Sequence, residues 1–111
     1  MRHSVRDVSI GIVVCLQGDV DLEQSPRARE ILLESVGRKR DVWVDLSDVN
    51  YIDSSGVASL IEAFQAARHN GTEFALVSVG SAAMRVLELA RLDELFTIYD
   101  RLPEGLDAGG E

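Results

Sequence analysis

In "YIDSSGVASL", residues 51–60, an apolar run ends in an acid, two hydroxyls and a glycine, and a helical pattern follows at once. Asp53, Ser54 and Ser55 are the side chains with chemistry to offer here. Two uses fit the pattern. An Asp or Ser at a helix start accepts hydrogen bonds from free backbone N–H groups. A serine there is also a seat for a phosphate, which would lie beside N–H donors and near the positive end of the helix dipole. Such a phosphate adds about −1.5 to −2 charges. It would change what the surface attracts without refolding the chain. Spacing leaves both uses open, and it does not choose between Ser54 and Ser55.

More acids gather at the neighbouring junctions. "GDVD" sets Asp19 and Asp21 at the end of a long strand, and "DLSD" adds Asp45 and Asp48. Loops at the carboxyl ends of parallel strands converge on one edge of an open α/β sheet, which brings these acids towards Asp53. The templates for catalysis and cofactor binding fail. There is no G-x-G-x-x-G and no G-x-x-x-x-G-K-[ST] to cradle a phosphate. No G-x-S-x-G elbow surrounds either serine. His3 and His69 stand far apart, outside metal-ligand spacing, and are expected in solvent. A Ser-His-Asp hydrolase needs a histidine beside Ser54 or Ser55, and nothing in the pattern points to one.

The composition narrows the partners. A formal net charge of −8 argues against a nucleic-acid footprint and against adsorption to an anionic membrane. The 111 residues, 46% hydrophobic, are enough for one ordinary core. No apolar run approaches the roughly 20 residues of a membrane span, and "MRHSVRD" lacks the apolar centre of a signal peptide. The single cysteine, Cys15, excludes an intrachain disulfide and fits a reducing, cytoplasmic setting. Its place in an apolar run makes it a small buried packing residue.

Periodicity supplies the elements that position these groups. Ile10, Ile12, Val14 and Leu16 share one face of a strand, and Val5 and Val8 mark a short partner strand before it. In "EQSPRAREILLESVGRKR", Ser25 is read as the N-cap and Pro26 as the first helical residue. Ala28, Ile31, Leu32 and Val36 form its apolar stripe, and Gly37 is read as a left-handed stop. Arg38, Lys39 and Arg40 follow, where cations favour a helix end. "DVWVDLSDV" is too densely apolar for a one-sided strand. Val57, Leu60, Ile61 and Phe64 define a second helix after Gly56, closed by Gly71. "EFALVSV" is a strand. A third helix opens with a Ser81 cap and buries Val86, Leu87 and Ala90, and a short final strand closes the order. Strands alternating with helices predict a single α/β domain over residues 1–101, with a mostly parallel mixed sheet and an antiparallel opening hairpin. The polar, glycine-rich residues 102–111 are expected to form a flexible tail.

Three segments resemble one family. "GDVD" is similar to the G-E-L-D segment of STAS domains of the anti-sigma factor antagonist type. "VDLSDVNYIDSSGVASL" resembles their D-L-S/D-x-V-x-x-I/M-D-S-S/T-G stretch, and "NGTEFALVSVGSAAMRVLELARLDELFTIYD" their C-terminal pattern. The likeness runs over residues 5–100 in consistent order. It departs at Val57-Ala58, where the family usually has L-G, at Arg91-Leu92 in place of G-L, and at Asp19 in place of Glu. The resemblance implies a non-enzymatic regulator that switches partners. A serine kinase of the GHKL class, doubling as anti-sigma factor, would phosphorylate the first hydroxyl after the motif's Asp, which is Ser54. A PP2C-type phosphatase would reset it. The ATP belongs to the kinase, so the resemblance implies no cofactor in this chain. Asp19, Asp21, Asp53, Ser55 and Gly56 match the motif positions at the partner surface. STAS domains also serve as subunits of lipid-transport ABC permeases and of signalling complexes without a sigma factor, and that alternative stays open.

Overall fold

The computed structural model describes residues 1–9 and 11–102. Ile10, expected on the buried face of the long strand, and residues 103–111 of the expected tail lie outside the described residues. The elements run β1 (Arg2–Val8), β2 (Gly11–Val20), α1 (Ser25–Gly37), β3 (Asp41–Ile52), α2 (Ser54–Asn70), β4 (Phe74–Val77), α3 (Ser81–Leu89) and β5 (Thr97–Tyr99). Among the described residues one sheet has the order β1-β2-β3-β4-β5. β1 and β2 pair as an antiparallel hairpin, and the other neighbours are parallel. This is the α/β arrangement that the alternation predicts.

The order explains where the helices go. Each crossover advances to the next strand in the same direction. Connections of one hand then leave every helix on the same face. Leu32 from α1, Leu60 and Ala63 from α2 and Leu87 from α3 accordingly share one core with Ile12, Val14, Val44 and Leu76. The opposite face carries Val8, Val13, Trp43, Ala75 and Val77, with Tyr99 and Leu102 packed against them. Trp43 lies over Gly11, where an added Cβ would come within 2.2 Å of the indole. Val42, Trp43 and Val44 are all buried, as their density predicts.

Several element ends differ from expectation. Ser25 is the first helical residue rather than the cap, because Asp21 already organises the turn: its Oδ1 accepts from Gln24 N at 3.0 Å. Pro26 therefore falls one position later than expected. Gly37 stays helical, and the left-handed residue is Lys39, at φ 60°. Arg38 and Lys39 donate backbone bonds to Ser35 O and Val36 O, which tightens the last turn and postpones the reversal. Ser81 also begins its helix instead of capping it, since Gly80 is the cap residue. Ala90 is exposed at the helix end and Val86 half-buried, while Ala83 and Leu87 are buried. Ile61 and Phe64 flank the buried stripe of α2, half-exposed. Its centre is Val57, Leu60, Ala63 and Ala67. No described helix is long and apolar enough to cross a membrane.

Candidate functional site at the start of helix α2

β2 and β3 run parallel and end together. Asp19 pairs with Tyr51 and Val20 with Ile52. The loop into α1 and the junction into α2 therefore leave from one edge, and Asp53 N donates to Val20 O at 3.3 Å to bind them. Asp53 is extended and caps α2. Its Oδ1 accepts from Ser55 N at 2.9 Å and Gly56 N at 3.1 Å.

Ser54 follows as the first helical residue and is exposed. Its hydroxyl makes no hydrogen bond among the described residues. Capping and hydroxyl exposure thus fall to different residues, Asp53 and Ser54. Ser55 is half-buried, and its carbonyl accepts from Ser59 Oγ at 3.2 Å.

Gly56 is required for space and not for an unusual backbone angle. Its φ is not positive. A Cβ there would lie 2.5 Å from Val20 O and 2.7 Å from Ile52 Cγ1. The first turn of α2 is thus pressed directly on the ends of β2 and β3. The turn into the helix occurs earlier, at Asp53.

Asp21 and Asp19 reach the same edge with different duties. Asp21 is half-buried, and its own carbonyl accepts from Ser25 N at 2.7 Å, so much of this residue holds the loop. Asp19 is exposed, just after the left-handed Gly18 (φ 91°) and a register shift in the β2–β3 ladder. Asp48 is exposed as well, whereas Asp45 turns its Oδ1 to Ser47 N and Oγ at 2.8 and 2.7 Å. Cys15, opposite Asp45 in the ladder, is half-buried where full burial was expected. Burial pushes its thiol pKa up, and the Asp45 and Asp48 charges add to this.

Ser59 escaped the sequence reading. It is buried, and its hydroxyl lies 3.3 Å from Ser25 O and 3.2 Å from Ser55 O. From the second turn of α2 it ties that helix to the first residue of α1. The available signal was a polar residue placed on an otherwise apolar stripe.

His3 is exposed on the edge strand β1. His69 is exposed near the end of α2, about 22 Å along the helix from Ser54 at 1.5 Å per residue. Neither stands beside Ser54 as a base. Among the described residues no group of three His, Cys, Asp or Glu could hold a metal ion. The edge presents an exposed hydroxyl among carboxylates.

A mixed sheet with every described helix on one face, and a bare hydroxyl at the start of its central helix, marks a class of small α/β domain. The chain belongs to the STAS domain family, whose sequence pattern matches residues 4–105. It is 25% identical over 106 residues to the anti-sigma-B factor antagonist of Bacillus subtilis (strain 168), covering 96% of this chain and 94% of that one. The crystal structure of an anti-sigma factor antagonist from Mycobacterium paratuberculosis superposes with a TM-score of 0.85 at 26% identity, covering 99% and 94% of the two chains. The Bacillus cell fate determinant SpoIIAA in its phosphorylated form shares the fold, with a TM-score of 0.73 at 14% identity over 96% and 98% of the chains.

Proposed function

We propose that this chain is a cytoplasmic anti-sigma factor antagonist that acts by partner switching, without catalytic activity of its own. Ser54 is its phosphoacceptor. A GHKL-class serine kinase that doubles as anti-sigma factor binds the unphosphorylated edge. It transfers the γ-phosphoryl group of ATP to Ser54 Oγ, with loss of the hydroxyl proton and release of ADP. A PP2C-type phosphatase hydrolyses the ester and restores the hydroxyl.

The observation that supports this reading is the exposed, unbonded Ser54 hydroxyl on a rigidly capped helix start. The cap also decides what a phosphate does here. Asp53 already occupies the N–H groups of Ser55 and Gly56. The helix end therefore cannot absorb a phosphate through those donors. Its charge stays on the surface, beside Asp53, where an approaching partner meets it. Asp19, Asp21, Asp53, Ser55 and Gly56 shape that surface, the last two by backbone position.

Phosphate mapping by mass spectrometry tests the assignment. Incubation with the kinase and ATP should label Ser54, and Ser54→Ala should bind the kinase yet take no label. Ser54→Asp should bind it more weakly. Label on another residue with Ser54 unmodified would overturn the assignment.

A further inference from the structure

Two large apolar side chains stand in solvent at the same sheet edge. Leu22, in the loop after β2, is 74% exposed, and Tyr51, near the end of β3, is 52% exposed. A single exposed apolar residue needs no explanation. Here Leu22 follows the end of β2 by two residues and Tyr51 lies at the paired end of β3, three residues before Ser54. Neither is needed for the hydrophobic core, whose members do not include them.

The charge around them is mostly acidic, with Arg2 and the Met1 amino group at the start of β1 as the cations beside the end of β2. The sequence holds no Lys or Arg between Arg6 and Arg27, nor between Arg40 and Arg68. Both strand ends and both junctions fall inside these gaps. Asp19, Glu23 and Asp48 are exposed there, with Asp53 half-buried among them.

We propose that Leu22 and Tyr51 are paired apolar anchors of a docking surface for a protein whose own contact face is apolar at the centre and ringed by Arg or Lys. The charge pattern selects this occupant. A second copy of the chain would bring an acidic rim against an acidic rim. A nucleic acid or an anionic membrane would meet the same repulsion. A cationic rim gains from it, and the excess of carboxylates at this edge steers such a partner in. Tyrosine suits an anchor because it brings a large rigid area and a polar tip. The surface deepens the partner-switching reading, on which it rests for the role of Ser54 at the same sheet edge, but it does not need phosphorylation to exist.

Site-specific photo-cross-linking in the source cells tests the proposal. A benzophenone amino acid replaces Leu22, Tyr51 or, as control, Leu89, which is 81% exposed on α3. Adducts are identified by mass spectrometry, and the trapped protein is purified for binding measurements. One and the same basic-faced protein should be trapped from positions 22 and 51 and not from 89. Leu22→Ala and Tyr51→Ala should each weaken its binding about tenfold or more, Leu89→Ala should not, and added salt should weaken the wild-type complex. Thermal melts verify folding, and Leu22→Gln and Tyr51→Gln replace any alanine variant that melts early. No adduct at 22 and 51, adducts only with another copy of the chain, or unchanged binding by the variants would overturn the proposal. Adducts indifferent to Ser54→Asp would leave the surface standing and sink the phosphoswitch instead.

Discussion

Removing the Ser54 hydroxyl should leave stability within about 0.5 kcal/mol of wild type, because an exposed group without a bonding partner has little to lose. A denaturant titration of Ser54→Ala checks this. The neighbouring residues behave differently. Asp53→Ala removes the acceptor of two backbone N–H groups and should cost about 1 kcal/mol in the same titration. Gly56→Ala pushes a methyl against Val20 O and should cost about 1–3 kcal/mol. Proximity in sequence hides this division. "DSSG" announces a cap and a hydroxyl, but not which residue is which. The answer lies in where the strand stops, at Ile52, which makes Asp53 the last extended residue. Gly56 was legible as a motif position, but the crowding that requires a glycine there was not. Its neighbours at 2.5 and 2.7 Å come from another strand and from four residues back.

The helices are joined by polar links that periodicity cannot foresee. Arg29 of α1 donates to Glu62 of α2 through Nε at 2.6 Å and Nη2 at 2.8 Å. The hydrogen bond from Arg29, with the Arg29 charge assisting, holds the Glu62 carboxyl below its ordinary value. A depressed carboxyl stabilises the fold above its unfolded pKa of about 4.3, and that contribution disappears as the pH falls through the lower folded value. Glu62→Gln should therefore melt below wild type at neutral pH and alongside it in strong acid. Melting curves at both ends of the range test this, and high salt should shrink the neutral-pH gap. At the same level, the apolar stripes of α1 and α2 were legible from spacing, since 3.6-residue periodicity is a property of the helix itself. Their ends were not. Asp21, Arg38 and Lys39 set the limits of α1 by turns specific to this chain.

Across the molecule, three aromatic rings fasten the last strand to the rest. Phe64 of α2 meets Phe74 of β4 at 6.4 Å between centroids and Phe96, just before β5, at 5.5 Å, both edge-on. Phe96 is buried, so Phe96→Ala should cost about 3–5 kcal/mol, measured by equilibrium unfolding. β5 has three residues and a single neighbour among the described strands, so its amides should lose hydrogen-exchange protection first in that variant. The sequence by itself determined the alternation of strands and helices, the opening hairpin, the acidic character of the whole and the motif at residues 53–56. Those are local patterns or sums, readable without knowing which segments touch. The tertiary structure alone decided that α2 presses on β2 through Gly56, that Ser59 ties α2 to the first residue of α1, and that Leu22 and Tyr51 stand at one edge with Ser54. Each depends on pairing β2 with β3 in one register, a relation between residues about 30 apart that no local pattern encodes.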